Sequence, residues 1–264
     1  MTVSYSFSLS HAALDIVWEE LKLGSRVFPF DIPHHGQTFD ERRRIRDAVF
    51  RDLESRNLAS RGRLSPEAEE ALRLLVQFEY GFTVIGMLDR QSEQQLLARG
   101  GAAGDLGVLA VLDDRMLKVD TMRSSALIHA MVSLLPQERP GPGQSVTIST
   151  GAPAPARRHD EDEDFDSMFE PVAPTGGHAA QNRAVEVIME RPRLRAGQFS
   201  AYASGRHGRQ NRSPELVWFD TDAGRYLMQT RREQDGNTWI TIAPTDSTRI
   251  VSQLGQLLNS LNAG

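Results

Sequence analysis

Met116-Leu117-Lys118-Val119-Asp120-Thr121 runs through Arg123-Ser124 into a stretch bearing Leu127, Ile128, Met131, Leu134 and Leu135. Trp239-Ile240-Thr241-Ile242-Ala243-Pro244 runs through Asp246-Ser247 into one bearing Ile250, Val251, Leu254, Leu257 and Leu258. Apart from Ala243 and Pro244, each apolar position of the second stretch lies 123 residues after one in the first, without a gap. The period of two followed by a period near 3.6 predicts a strand, a turn and a helix in both places. Self-similarity at a fixed spacing decides the fold before any single element does. It predicts a protein of two like halves, with no catalytic centre implied.

Working outward, both stretches sit at the end of a run of strands. Phe82 to Leu88, Gln94 to Arg99, Gly107 to Leu112 and Met116 to Thr121 read as strands in the first half, with Gly100-Gly101-Ala102-Ala103-Gly104 as a loop. In the second half Phe199 to Ser204, Glu215 to Thr221, Arg225 to Arg232 and Asn237 to Ala243 do the same. Asp222-Ala223-Gly224 and Gln234-Asp235-Gly236 are the turns between them. The N-terminal residues alternate Val3, Tyr5, Phe7 and Leu9 as a strand, and Ser10 caps a helix over His11 to Lys22. A charged helix opens at Thr38 or Asp40, and Ser65-Pro66-Glu67 starts a third. Ala179 to Glu190 is a helix stopped by Pro192, and a last helix runs from Asp246 to about Asn259. Runs of helices followed by runs of strands define an α+β protein, each half carrying an antiparallel meander of about four strands and a closing helix.

The chain of 264 residues is expected to be one domain with an N-terminal half over 1–149, a linker over 150–178 and a C-terminal half over 179–264. Asp160 to Asp166 carries six carboxylates in seven residues, and without them the formal charge of −5 would become +1. Like-charge repulsion added to ordering entropy predicts a solvated linker, with Phe165, Met168 and Phe169 as an alternative short interaction motif.

Composition narrows the function. There is no cysteine, so thiol catalysis, disulfides and cysteine metal sites are excluded. No apolar run is long enough to span a bilayer, and the N-terminus has neither a basic region nor a cleavage site, so a cytoplasmic protein without membrane insertion is expected. Only Lys22 and Lys118 are lysine among 30 basic residues. The arginines are scattered in a net-acidic chain, which argues against nucleic acid as a partner. His34-His35 near Asp40 and Glu41 has the flavour of a metal site, but adjacent histidines diverge and a hydrogen-bonded loop explains them better, so no metal and no cofactor are expected. His129 reads as a boundary histidine, and Asp220 and Asp222 flank Thr221 as turn chemistry rather than as an acid–base pair. No nucleophile elbow, zinc helix or phosphate loop is present. The chain is not expected to be an enzyme. What remains is the run Leu216-Val217-Trp218-Phe219, apolar on both faces; packing of one face on helices and of the other on the second half explains it best, and a partner groove on part of one face, with Arg225 and Arg231 beside it as anchors, is the alternative.

The segment Trp218-Phe219-Asp220-Thr221-Asp222-Ala223-Gly224-Arg225-Tyr226-Leu227, with Trp239 to Pro244, resembles the C-terminal signature of the EspG family. These are secretion-associated chaperones of type VII (ESX) systems in mycobacteria and related actinobacteria. Leu134-Leu135-Pro136, Pro140-Gly141-Pro142-Gly143, Arg193-Leu194-Arg195-Ala196-Gly197-Gln198-Phe199, and His35-Gly36 with Glu41-Arg42 and Ile45-Arg46 match in order along the chain. The acidic block at Asp160 departs from the family. The resemblance implies a central antiparallel sheet with helical bundles in two quasi-two-fold-related halves. It implies a cytoplasmic chaperone that binds a PE–PPE heterodimer at the PPE tip and keeps it soluble for export, itself a monomer or weak homodimer when free. The implied site is the loop Asp89-Arg90-Gln91-Ser92-Glu93, the sheet positions Val217, Phe219, Arg225, Met228 and Arg231, and Gln253 and Gln256 on the last helix. A nucleic-acid-binding or homo-oligomeric regulatory protein is the alternative.

Overall fold

A computed structural model describes residues 5–89, 93–150, 179–205, 209–232 and 237–262. The expected linker lies outside the described residues apart from its first one.

The elements follow from local rules. Strand β1 (Tyr5–Ser10) passes directly into α1 (His11–Glu20), whose first turn is capped by the Ser10 hydroxyl accepting from the Ala13 amide. Helix α2 (Phe39–Ser55) opens on a full capping box, with Thr38 and Glu41 each satisfying the other's backbone N–H. A short ribbon of β2 (Ala59–Ser60) and β3 (Arg63–Leu64) leads to α3 (Pro66–Leu74), which starts with a Ser65 cap and proline in the first turn. Four strands follow as a meander: β4 (Tyr80–Asp89), β5 (Gln94–Ala103), β6 (Leu106–Leu112) and β7 (Met116–Arg123). A 3-10 turn at Ser124–Ala126 leads into α4 (Leu127–Val132). Then come β8 (Val146–Thr150), α5 (Ala179–Met189), β9 (Arg193–Ser204), β10 (Gln210–Arg212), β11 (Leu216–Thr221), β12 (Gly224–Arg232), β13 (Thr238–Pro244) and α6 (Ser247–Asn262). The fold is α+β. Its large antiparallel sheet runs in the order β1-β7-β6-β5-β4-β9-β11-β12-β13-β8, with β10 beside β9.

The chain divides into two compact units, and β4, β5 and β9 each contribute residues to both. The first unit holds residues up to Val84, Leu96–Leu134 and Tyr202–Asn211. Its core joins Leu14 and Val17 of α1, Leu53 of α2 and Leu72 of α3 to Leu117 and Val119 of β7. The second unit holds Ile85–Gln95, Leu135–Ala201 and Arg212–Gly264. There α5 lays Val185 and Ile188 against Phe219, Tyr226, Ile242, Val146 and Ile148. Leu135 to Thr150 therefore packs with the second unit, fifteen residues before the expected boundary at 150.

Three local expectations need correction. Gly100 to Ala103 is not a loop but the buried end of β5. A Cβ on Gly101 would lie 2.4 Å from the Leu74 carbonyl, and one on Gly100 would lie 2.7 Å from Leu127. Helices pack here directly on strand backbone, so glycine marks close approach and not a turn. Strand β9 begins at Arg193, six residues before the expected Phe199, because the bulge opposite Asp220 and Thr221 lets pairing with β11 continue. Strand β8 is an addition to the expected elements. Val-Thr-Ile-Ser-Thr alternates as a strand should, but it is short and follows a Pro-Gly-rich run.

The 123-residue echo takes the form of repeated connectivity. In each case an edge strand, a helical segment, a four-strand meander and a closing helix follow one another, and the edge strand pairs with the last meander strand.

Candidate functional site

The second unit is built around one buried ion pair. Asp220 on β11 and Arg225 on β12 are both wholly buried, and the guanidinium Nε and Nη2 donate to the two carboxylate oxygens at 2.6 and 2.8 Å. Such a forked pair is the geometry in which burial of two charges is repaid. Nη2 also donates to the Pro136 carbonyl at 2.8 Å, and the guanidinium lies 5.2 Å from the Trp218 ring centroid. Arg195 on β9 approaches the same carboxylate at 3.3 Å and Glu138 at 3.5 Å.

A strap over this pair is fixed by backbone. The Arg225 amide donates to the Arg139 carbonyl at 2.8 Å, and the Gly141 amide donates to the Arg225 carbonyl at 3.0 Å. The Tyr226 hydroxyl donates to the Pro142 carbonyl at 3.0 Å, and burial pushes that phenol above its ordinary pKa. A Cβ on Gly141 would enter the Tyr226 ring at 2.2 Å, so only glycine passes here. Several of the stretches that carried the resemblance thus form one cluster: Pro136, the Pro-Gly repeat, Arg195 on β9, and the β11–β12 hairpin. The turn reading of Thr221 to Gly224 holds, since the Thr221 hydroxyl accepts from the Ala223 amide and donates to the Gly224 carbonyl. Both flanking carboxylates are taken by arginine, Asp220 by Arg225 and Asp222 by Arg191 at 3.1 Å.

Strand alternation separates the expected sheet anchors. Val217, Phe219 and Met228 share a face with the α5 layer. Phe219 is wholly buried and stacked on Tyr226, and Val217 is buried too. Arg225 serves the ion pair. Phe219 and Arg225 therefore present no side-chain surface to a partner in this conformation and Val217 very little, which counts against the expectation that they are anchors. Long apolar runs on an inner strand face packing, not exposure. Met228 is half-buried, and Arg231, on the opposite face, is exposed.

That opposite face adjoins α6. Gln229 on β12 donates to Gln253 on α6 at 3.1 Å, and the hydroxyls of exposed Thr147 on β8 and half-buried Thr241 on β13 lie 3.0 Å apart. Arg231 pairs in register with Trp239, which is half-buried. Helix α6 buries only Ile250 and Leu254, leaving Val251, Leu257, Leu258 and Leu261 half-exposed along its side; Gln256 is exposed. Asp89 ends β4 half-buried and Glu93 is exposed just before β5 with φ 53°, whereas Arg90, Gln91 and Ser92 lie outside the described residues. The structure therefore groups Arg231, Gln253 and Gln256 on the α6 side.

The first unit holds a constellation that the sequence did not single out. Asp15 on α1 is buried and takes Arg26 and Arg42 as ion-pair partners and the His35 amide at 2.8 Å, with the His34 and His35 Nδ1 atoms each 3.6 Å away. Burial alone would raise its pKa, but hydrogen bonds from Arg42, the His35 amide and Arg26 outweigh it and bring the pKa down to about 2. Arg42 also pairs with Glu19 and donates to the His35 carbonyl at 2.8 Å. The His34-His35 loop is thus held by hydrogen bonds, as expected. The signal that could have found this cluster is Asp15 itself, one acid within the apolar run Leu14, Ile16, Val17. Among the described residues no group of three or more His, Asp or Glu is arranged to hold a metal, and no helix is long and apolar enough to cross a membrane.

Comparison with known proteins places this geometry. No curated protein matches the chain in sequence. Among solved structures, the Mycobacterium tuberculosis type VII secretion system chaperone EspG5, solved in complex with the PE25–PPE41 dimer, matches with a TM-score of 0.63. The two share 10% sequence identity, and the match covers 97% of this chain and 96% of that one. At that identity the likeness speaks for the fold. The model of the EspG family matches residues 10–256, and the chain belongs to the EspG family.

Proposed function

We propose that the chain is a cytoplasmic, non-enzymatic chaperone of type VII secretion that binds a PE–PPE heterodimer and keeps it soluble before export. The observation that carries this reading is the family match over residues 10–256. It is supported by an end-to-end likeness to a chaperone solved with a PE–PPE dimer. The two candidate clusters with charge are spent on structure, since Asp220 and Asp15 are both held by arginines. The half-exposed apolar row of α6 offers what a chaperone needs, apolar area that gains about 25 cal/mol per Å² on being covered. The proposed contact surface joins α6, with Gln253 and Gln256, to Arg231 and to the β4–β5 connection Asp89-Arg90-Gln91-Ser92-Glu93.

Co-expression with PE–PPE pairs tests this reading. The expected result is a stable complex of three components with one pair, weakened by Arg90→Glu combined with Glu93→Arg while the free chain melts unchanged. If no pair is retained, the chaperone reading fails. If a pair is retained but the double substitution has no effect, the β4–β5 connection is not part of the surface.

A further inference from the structure

The first unit carries a groove that neither the buried ion pairs nor the proposed heterodimer surface uses. It runs beside α3, encloses about 570 Å³ and has a floor of Leu64, Leu74, Ala103 and Leu106. Its origin lies in missing side chains. The end of α3 rests on the backbone of β5 at Gly101, and Ala103, two residues along the same strand face, supplies only a methyl group. The floor residues are buried or half-buried and pack on the helical core of this unit. One wall is a stripe of α3 that places Glu69, Glu70 and Arg73 at helical spacing. Its charge is one-sided. Arg73 gives both Nε and Nη2 to a single Glu69 oxygen, at 2.9 and 2.8 Å, so those two charges cancel. Glu70 is exposed and has no ion-pair partner among the described residues. Glu67 and Asp105, next in sequence to the lining residues Pro66 and Leu106, add exposed carboxylates, against one exposed guanidinium on Arg63.

We propose that this groove docks a short segment of a partner protein in which a large apolar side chain is flanked by arginine or lysine. The apolar side chain fills the floor beside Ala103, and a flanking cation reaches Glu70 on the rim. Pro66, Glu70 and Gln77 are exposed and leave the groove open along its length. That shape suits an extended chain covered on one side, whereas a small molecule needs a pocket that encloses most of its surface. The nine residues of α3 rise about 14 Å, room for about four residues of extended chain. Every lining residue belongs to the first unit, while α6 and the β4–β5 connection belong to the second. The groove is therefore a second docking site, built from other residues than the surface proposed for the heterodimer.

Fluorescence anisotropy of the free full-length chain with two fluorescein-labelled hexapeptides tests the proposal, one alternating arginine with leucine and the other glutamate with leucine. The arginine peptide should bind about tenfold more tightly than the glutamate peptide, or better. Glu70→Lys should weaken its binding about tenfold, and Ala103→Leu, which fills the floor without altering charge, by a similar factor. Glu186→Lys makes the same charge change at an exposed position of α5 in the second unit and should leave the affinity unchanged. That control separates the groove from a general attraction of cations to a net-acidic chain. Thermal melting checks each variant. Glu70 lies on the exposed rim, so its variant carries the test if Ala103→Leu lowers the melting temperature. Failure of the arginine peptide to bind, or equal binding of the two peptides, overturns the proposal. So does a Glu70→Lys variant that binds like the wild type, a stably folded Ala103→Leu variant that does the same, or equal weakening by Glu186→Lys and Glu70→Lys.

Discussion

The two repeats share a chain plan but not a degree of closure. At the 123-residue offset, Leu127 and Ile250 are wholly buried, as are Met131 and Leu254, while Ile128 and Val251, and Leu134 and Leu257, are half-buried in both. The positions that set the helix against its sheet are therefore equivalent. On the preceding strand Val119 and Ile242 are buried alike, but Leu117 is wholly buried where Ile240 is half-exposed. The closing helix of the first repeat stops after six residues, and that of the second runs for sixteen. The first repeat also has three helices covering its sheet, against one described helix, α5, before the second meander. Apolar side chains that the first repeat uses to close its core are in the second left at a surface. A shared pattern fixes shared packing, and the departures from it leave apolar side chains at the surface.

The sharpest way to break this comparison is at the centre of the second unit. Asp220→Ala should destabilise the chain by about 3–5 kcal/mol, because it strands Arg225 without its counter-charge in a site where neither residue touches water. Urea denaturation followed by tryptophan fluorescence reads the loss. A change below about 1 kcal/mol would mean that the pair is dispensable and that the hairpin is held by packing alone. Next in size is the matched pair of strand positions. Leu117→Ala should cost about 3 kcal/mol as a full cavity, and Ile240→Ala clearly less, since part of its side chain is already in water. Equal costs would remove the claimed difference in closure.

Much of this contrast was legible in the chain. The repeat, the α+β class, the capping signals at Ser10, Thr38 and Ser65, and the turn at Thr221 to Gly224 all rest on local periodicity or on side chains bonding neighbouring backbone. Burial of charge was not legible. Arg225 is read from sequence as a candidate anchor and Asp220 as turn chemistry, and Asp15 is passed over, because charge is usually solvated and only tertiary partners distant in sequence reverse that. Arg225 finds Pro136, and Asp15 finds Arg42. The Gly100-Gly101 pair misled for the same reason, since the helices that need the missing Cβ atoms come from elsewhere in the chain. Of the expected sheet anchors, those on a continuously apolar run proved to be core, whereas Arg231 and the polar positions of α6 stayed at the surface.

The carboxylate at the centre of the first unit supplies a smaller effect with a defined pH window. The folded-state pKa of Asp15 lies near 2, below its ordinary value of 3.8. Its contribution is therefore complete above about pH 4 and is lost as pH falls through about 2. The loss should be about 2.5 kcal/mol, the difference between 3.8 and about 2 at about 1.4 kcal/mol per tenfold change in proton affinity. Asp15→Asn should flatten that part of the stability profile and leave the range above about pH 5 parallel to the wild type. An unchanged acid limb in Asp15→Asn would show that other carboxylates set it.

The smallest stability effect is expected on the proposed partner surface. Leu258 on α6 is half-exposed, so Leu258→Ala should cost less than about 1 kcal/mol in folding. If α6 is the surface that covers an apolar partner, the same substitution should weaken the heterodimer complex by about tenfold, since a leucine central to an interface is worth more there than in the free chain. Folding by denaturation and affinity by calorimetry move together when a side chain serves the core, and apart when it serves a partner. Ile250, its wholly buried neighbour on the same helix, gives the opposite signature: a large folding cost on truncation and no separate effect on affinity once the chain is folded. A large folding loss for Leu258→Ala with unchanged affinity would assign it to the core and would close the second repeat as fully as the first.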